Sequence, residues 1–150
     1  QSLTADQTLT VHAAGYDADN NFINDVAVTW TVSGGIGTIS GSGTSVGAFS
    51  ANTVSSGLII ADHSTAQDDQ TGLITVTPGT IASLRILSGD NGETSNVTSV
   101  TMSADDILTV HAGMYDGDGN YIGDNTATWS STGLTPAVSA QRSRCAPMRS

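Results

Sequence analysis

The chain has 150 residues, enough for one large domain or for one and a half small ones. Its 14 acidic residues against four basic ones give a formal net charge of −10, which argues against nucleic acid and anionic membranes as partners because both attract basic patches. No run of about 18 apolar residues occurs, so we predict no membrane insertion. Thr, Ser, Gly and Val are abundant while Lys is absent, a bias that favours strands over helices.

Alternation of apolar and polar residues predicts the strands of the first half of the chain. Residues 8–14 form the first predicted strand, and residues 26–33 form the second, with Trp30 facing inward. Clusters of Gly, Ser and Asn then separate short strands, which are predicted at 38–40, 45–51, 57–61 and 71–77.

A second unit is predicted to begin after Pro78 and Gly79. Its first strand, residues 81–87, is expected to turn Leu84 and Ile86 toward the core. Trp129 is expected to be buried in the middle of a later strand.

An internal repeat organises these elements. Residues 3–31 and 102–130 align without a gap at a constant offset of 99, and 15 of the 29 positions are identical. An interval of this size, with about seven short strands, is typical of a two-sheet Greek-key sandwich of immunoglobulin type. The sequence therefore predicts an all-β chain, an immunoglobulin-like sandwich repeated in tandem, with the second copy incomplete.

The predicted domains are residues 1–79, a sandwich expected to lack its leading strand, and residues 80–140, a partial second copy. Since Gln1 is not Met, we expect the chain to be a processed or excised piece. Residues 141–150 match no counterpart in the first copy and carry three of the four Arg and the single cysteine, Cys145. We interpret this basic tail as foreign to the fold, through a reading-frame error, a truncated assembly or a cloning remnant; a genuine basic tail is the alternative.

The segment TLTVHAAGYDADNNFINDVAVTWTVSGGIGTIS resembles bacterial immunoglobulin-like repeats of the invasin and intimin type. The resemblance rests on a D-x-x-x-N turn, a strand with V-x-W and the following G-x-G-T-I-S. It implies repeats that stack into rods and hold an adhesive tip or another domain away from a cell surface. A departure from the family pattern is Asn20-Asn21, where Gly-Asn is usual.

No catalytic site is predicted. His12 and His111 occupy the same repeat position on an outward strand face, where a surface histidine beside Thr is expected rather than a metal ligand. His63 lies between Asp62 and Ser64, but adjacent residues point in alternating directions and cannot form a Ser–His–Asp relay. The acidic residues are concentrated in turns, and we expect no large pocket between the layers of so small a sandwich.

One constellation suggests a ligand. Oxygen-bearing residues recur at alternate positions in both copies, like the opening of a calcium loop, but the Gly and the bidentate Glu of such a loop are missing. The competing interpretation is a hairpin turn in which Asp and Asn stabilise the backbone. The candidate calcium ligands are Asp17, Asp19, Asn21, Asp25, Asp116, Asp118, Asn120 and Asp124.

These features predict a non-catalytic structural or adhesive repeat of a secreted or cell-surface bacterial protein, acting as a rod-like spacer. Expected partners are neighbouring repeats or subunits, or glycans or proteins of a host or cell surface. Two alternatives remain. One is a filament subunit that assembles by strand exchange between incomplete sandwiches, and the other is a carbohydrate-binding accessory module of a secreted hydrolase, which would need a row of exposed aromatic residues.

Overall fold

The computed structural model describes residues 1–89 and 95–132, and every regular element in these ranges is a β-strand. The prediction of an all-β chain is therefore confirmed for the described residues. These ranges contain no helix, and therefore none that is long and apolar enough to cross a membrane. The strands are β1 (Ser2–Thr4), β2 (Thr8–His12), β3 (Ala14–Tyr16), β4 (Phe22–Asp25), β5 (Thr29–Val32), β6 (Gly37–Ser40), β7 (Val46–Ala51), β8 (Ser56–Gly57), β9 (Ile59–Asp62), β10 (Asp69–Gln70), β11 (Ile74–Thr77), β12 (Ile81–Ser88), β13 (Val110–Asp116) and β14 (Tyr121–Asn125).

The described residues form two compact units. The first contains residues 1–80 together with the short segment 116–120, and the second contains the remaining described residues of 81–132. The predicted basic tail at 141–150 and the end of the predicted second copy, residues 133–140, lie outside the described residues.

The first unit contains several small sheets, consistent with a β-sandwich. One sheet has the order β2-β7-β6, and the others have the orders β1-β11-β8, β10-β9-β5 and β3-β4. All of these pairs are antiparallel except β1 with β11, where Leu3 lies opposite Val76. The three larger sheets and their connections form one core, to which β3 and β4 contribute no buried residue. Its buried residues are Leu3, Ala5, Ala13, Val28, Trp30, Ile36, Phe49, Ala51, Ile59, Ile74 and Val76.

Trp30 is the largest side chain of this core and is 7% exposed, so its predicted burial is confirmed. Its Nε1–H donates a hydrogen bond to the carbonyl oxygen of Thr44 at 3.2 Å, which satisfies the polar atom of the indole. The ring lies against the backbone of Gly47, where an added Cβ would approach it to 3.0 Å. Glycine in β7 thus makes room for the tryptophan.

The predicted strand at 8–14 is divided in two because the chain changes its pairing partner at Ala13. The N–H of Ala13 donates to Ser45, beside β7, whereas its carbonyl accepts from Val26, beside β4. One run of alternating residues therefore serves two sheets, with β2 paired to β7 and β3 paired to β4.

The second unit contains the sheet β12-β13-β14. Leu87 is fully buried, whereas Leu84 and Ile86 are 59% and 49% exposed, so the prediction that these two face inward is wrong. Successive strand side chains alternate between faces, and burial of Leu87 on one face directs Ile86 and Leu84 to the other.

Trp129 also differs from its expected position. It is only partly buried, and residues 126–132 form no strand. The positions equivalent to Thr44 and Gly47, which contact Trp30, are 143 and 146, and they lie outside the described residues.

Candidate functional site

The turn between β3 and β4 is organised by Asp17. Its Oδ1 accepts hydrogen bonds from the backbone N–H groups of Asp19 at 3.0 Å and Asn21 at 2.8 Å, and the Asn21 side-chain amide donates to both carboxylate oxygens. The chain reverses through Asn20, whose φ of 65° is left-handed. Side-chain and backbone hydrogen bonds from Asn21 hold the pKa of Asp17 below its usual value. The carboxylate therefore serves as the internal acceptor of the turn.

The segment 116–120 repeats this turn with the same donors. Asp116 Oδ1 accepts from the N–H groups of Asp118 at 3.1 Å and Asn120 at 2.7 Å, and its Oδ2 accepts from the Asn120 amide at 2.9 Å. Unlike Asp17, Asp116 is buried, with 2% of its surface exposed.

Further contacts within the first unit explain this burial. The N–H of Gly79 donates to Asp116 Oδ2 at 2.9 Å. The Asn120 amide donates to the Asn52 carbonyl at 3.0 Å and accepts from the Val54 N–H at 3.2 Å. Burial alone would raise the pKa of Asp116, but the hydrogen bonds from Gly79 and Asn120 outweigh it and lower the pKa.

The structure gives the remaining candidate calcium ligands other positions. Asp19 and Asp118 contribute backbone N–H groups to the two turns. Asp25 and Asp124 lie in β4 and β14, opposite Ala14 and Gly113. Among the residues that the structure describes, no group of three or more His, Cys, Asp or Glu side chains is placed to hold a metal ion. Calcium binding stays a prediction. The hydrogen bonds explain why the two copies share the same spacing of Asp and Asn, since each copy uses it to form a turn.

A polar cluster in the second unit was not predicted. His111 Nε2 lies 3.3 Å from Asp124 Oδ1, and the Tyr121 hydroxyl donates to the same oxygen at 2.6 Å. His111 is 9% exposed, so the expectation of an outward, solvent-facing histidine is wrong here, although His12 is exposed. Burial and the neighbouring Asp124 carboxylate raise the pKa of Tyr121 to about 12. The one sequence signal for this cluster is the change from Phe22 to Tyr121 between copies, which supplies the hydroxyl.

An open cleft of about 710 Å³ lies on the first unit. His63 borders it, and its Nδ1 accepts from the backbone N–H groups of Thr65 and Ala66. Its backbone N–H donates to Asp68 at 2.9 Å, which fixes the loop beside the cleft. The lining mixes polar and apolar side chains, among them His12, Tyr16, Trp30, His63, Asp68 and Gln70.

Comparisons of the chain with protein-family models, with curated proteins and with solved structures find no match. Any assignment of function therefore rests on the residues and their geometry.

Proposed function

We propose that the chain is a non-catalytic, immunoglobulin-like repeat module that acts as a rod-like spacer in a secreted or cell-surface bacterial protein. One observation carries the proposal. The hairpin β3–β4 recurs as β13–β14 with the same register, since Ala14 opposite Asp25 corresponds to Gly113 opposite Asp124. In both hairpins the register shifts just before a tyrosine, Tyr16 in the first and Tyr115 in the second. Tandem architectures reuse one supersecondary unit in this way.

The strand order of the first unit supports an immunoglobulin-like Greek key. Only Leu58 separates β8 from β9, so we treat these as one interrupted strand, and β10 with β11 as another. One sheet then contains β2, β7 and β6, and the other contains β1, β10/β11, β8/β9 and β5. Three and four strands make the seven that such a sandwich requires. In this count β1, paired with β11, takes the place of the leading strand that the first copy was expected to lack.

The use of the polar side chains supports a structural role. The acids of the two turns accept hydrogen bonds from their own backbone, and the described residues contain no buried side-chain nitrogen or oxygen without a partner. These groups stabilise local structure, as expected of a module whose task is to keep its shape. The extracellular location is inferred from the acidic composition and from the family resemblance.

The intact open reading frame and small-angle X-ray scattering of the protein that it encodes test this function. A spacer predicts further copies at intervals of about 99 residues and a maximum dimension that grows in proportion to their number. A reading frame without further copies, or a dimension that does not grow with copy number, would contradict the proposal.

A carbohydrate-binding module is the second candidate, because the cleft lies beside exposed aromatic side chains. Tyr16 lines the cleft and is 56% exposed, and Phe22, in edge contact with it, is 58% exposed. Aromatic faces with nearby polar groups are suited to sugar rings. Calorimetric titration with soluble oligosaccharides tests this candidate, with Tyr16→Ala as the binding variant and Val54→Ala, at another exposed apolar position, as the control.

A further inference from the structure

The two Asp-Asn turns share their internal geometry but differ in what they contact outside the turn. In the 116–120 turn, Asp116 accepts from the N–H of Gly79, and the Asn120 amide contacts the loop at 52–54. In the 17–21 turn, every hydrogen bond that the described residues make to Asp17 and Asn21 comes from the turn and its own hairpin.

The contacts of the 116–120 turn define what such a turn recognises. Asp116 takes a glycine N–H at a Pro-Gly junction, and Asn120 takes a backbone carbonyl and a backbone N–H two residues apart. All three partner atoms belong to the main chain, so recognition depends on the shape of the junction and the loop. Repeats that differ in side chains can therefore offer the same three atoms.

The 17–21 turn is already arranged for the same contacts. The Asn21 amide is held on the Asp17 carboxylate at 3.0 Å to Oδ2, as the Asn120 amide is held on Asp116 at 2.9 Å. Little side-chain freedom remains to be lost on binding, which favours association. Exposed apolar side chains flank this turn: Phe22 and Ile23 are 58% and 62% exposed.

We propose that the 17–21 turn is a docking surface for another repeat of this kind, with Asp17 accepting from the glycine N–H of that repeat's Pro-Gly junction and Asn21 binding the loop equivalent to 52–54. The proposal rests on the repeat-module function and names its partner. The 116–120 turn, seated on Gly79, Asn52 and Val54 within the first unit, is the template for the contact.

The contacts of the 116–120 turn suggest substitutions that would let two molecules associate in solution. In the native chain the junction and loop of each molecule are occupied by its own 116–120 turn. The double variant Asp116→Ala/Asn120→Ala removes the side chains that make these contacts and leaves the Gly79 N–H, the Asn52 carbonyl and the Val54 N–H open to the 17–21 turn of a second molecule. The matched control adds Asp17→Ala/Asn21→Ala, which leaves the freed surface but removes the turn that would fill it.

Sedimentation equilibrium at protein concentrations up to about 1 mM, in the range of effective concentrations that short linkers provide, measures the association. The protein is kept reduced so that Cys145 cannot crosslink two molecules. We expect the native chain to be monomeric, the double variant to gain mass with concentration, and the quadruple variant to be monomeric again.

Association that persists in the quadruple variant, or a double variant that stays monomeric at the highest concentration, overturns the proposal. Circular dichroism verifies that each variant keeps its strands, and Asn120→Ala alone replaces the double variant if the latter unfolds. The spacer function is tested separately, by copy number and molecular dimension. Docking can therefore fail while the spacer function holds, and the spacer function can fail while docking holds.

Discussion

The N–H of Gly79 donates to Asp116 Oδ2 at 2.9 Å, and an added Cβ on the same glycine would collide with the carboxylate of Asp6. Asp6 is itself fixed, since its Oδ2 accepts from the backbone N–H and the hydroxyl of Thr80 at 2.6 and 2.7 Å. Two carboxylates thus lie against one Pro-Gly-Thr junction, and the absence of a side chain at Gly79 leaves room for that of Asp6.

Replacement of Gly79 by alanine should destabilise the first unit. The new methyl group would displace the Asp6 carboxylate and disturb its hydrogen bonds to Thr80, a loss of about 1 kcal/mol. Urea unfolding followed by tryptophan fluorescence measures the change. Gly72→Ala is the control, because nothing lies within 4 Å of the Cβ that it adds. Equal effects of the two substitutions would contradict the packing argument.

Close packing of Gly47 against Trp30 gives a second prediction. An added Cβ would lie 3.0 Å from two ring atoms of Trp30 and from the Cδ1 of Ile39, so Gly47→Ala should cost about 1–3 kcal/mol. Trp30→Ala alone should cost about 3–5 kcal/mol. With the ring removed, the alanine at 47 should cost much less, and a double-mutant cycle on unfolding free energies measures this coupling. Additive effects would show that the ring and the glycine do not constrain each other.

Much of the first unit could be predicted from alternation, because strands such as β7 and β11 bury every second residue. In β7 the pattern is unbroken, with Phe49 and Ala51 buried and their neighbours exposed. The change of partner at Ala13 could not be predicted, since both halves of the strand have the same period and only the pairing differs. In β12, Leu84 and Ile86 lie on one face and Leu87 on the other, so the sequence allows either face to be the buried one. The structure buries the face of Leu87.

Acid should weaken the structure through Asp116. Its pKa is lowered in the folded state, so its contribution to stability is present above the ordinary aspartate value of about 3.9 and is lost as the pH falls through the lower folded value. The unfolding free energy of the native chain, measured in urea from roughly pH 5 downward, should therefore fall. The unfolding free energy of the Asp116→Asn variant, whose amide cannot titrate, should fall less steeply over that pH range. A parallel pH dependence in the two proteins would remove Asp116 as a cause.

Tyr121 should be the tyrosine that ionises late. Burial and Asp124 raise its pKa to about 12, so its neutral form stabilises the fold below the ordinary value near 10, and this contribution is lost as the pH rises through 12. Alkaline titration of phenolate absorbance should show a late step that Tyr121→Phe removes and Tyr16→Phe retains. Loss of the late step in the Tyr16 variant instead would reverse the assignment.

The candidate site could be predicted in part. The D-x-x-x-N spacing correctly indicated two equivalent turns. In each, the Asp carboxylate accepts from the backbone N–H two residues on, as in an Asx turn, and also from the N–H of the Asn four residues on. What separates the turns is their surroundings: Asp116 contacts Gly79, which lies 37 positions away, while Asp17 stays within its hairpin. The cluster at His111 could not be predicted either: both copies have the histidine and the aspartate, yet His12 is exposed, whereas His111 is buried beside Asp124. The difference in sequence is Tyr121, whose hydroxyl donates to the same carboxylate oxygen.

Calcium provides the last test of these turns. An ion at Asp17 would compete with the N–H groups of Asp19 and Asn21 and with the Asn21 amide, all of which already direct positive charge toward the carboxylate. Asp25 lies opposite Ala14, three residues before Asp17, and three residues of strand span about 10 Å, so Asp25 could join a common ion only if the hairpin rearranged. We therefore expect melting temperatures in millimolar calcium and in chelator to coincide. The ion site would be established instead if calcium raised the melting temperature, if Asp17→Asn abolished that rise, and if Asp62→Asn did not. Asp62 is the control because it is an acid outside both turns.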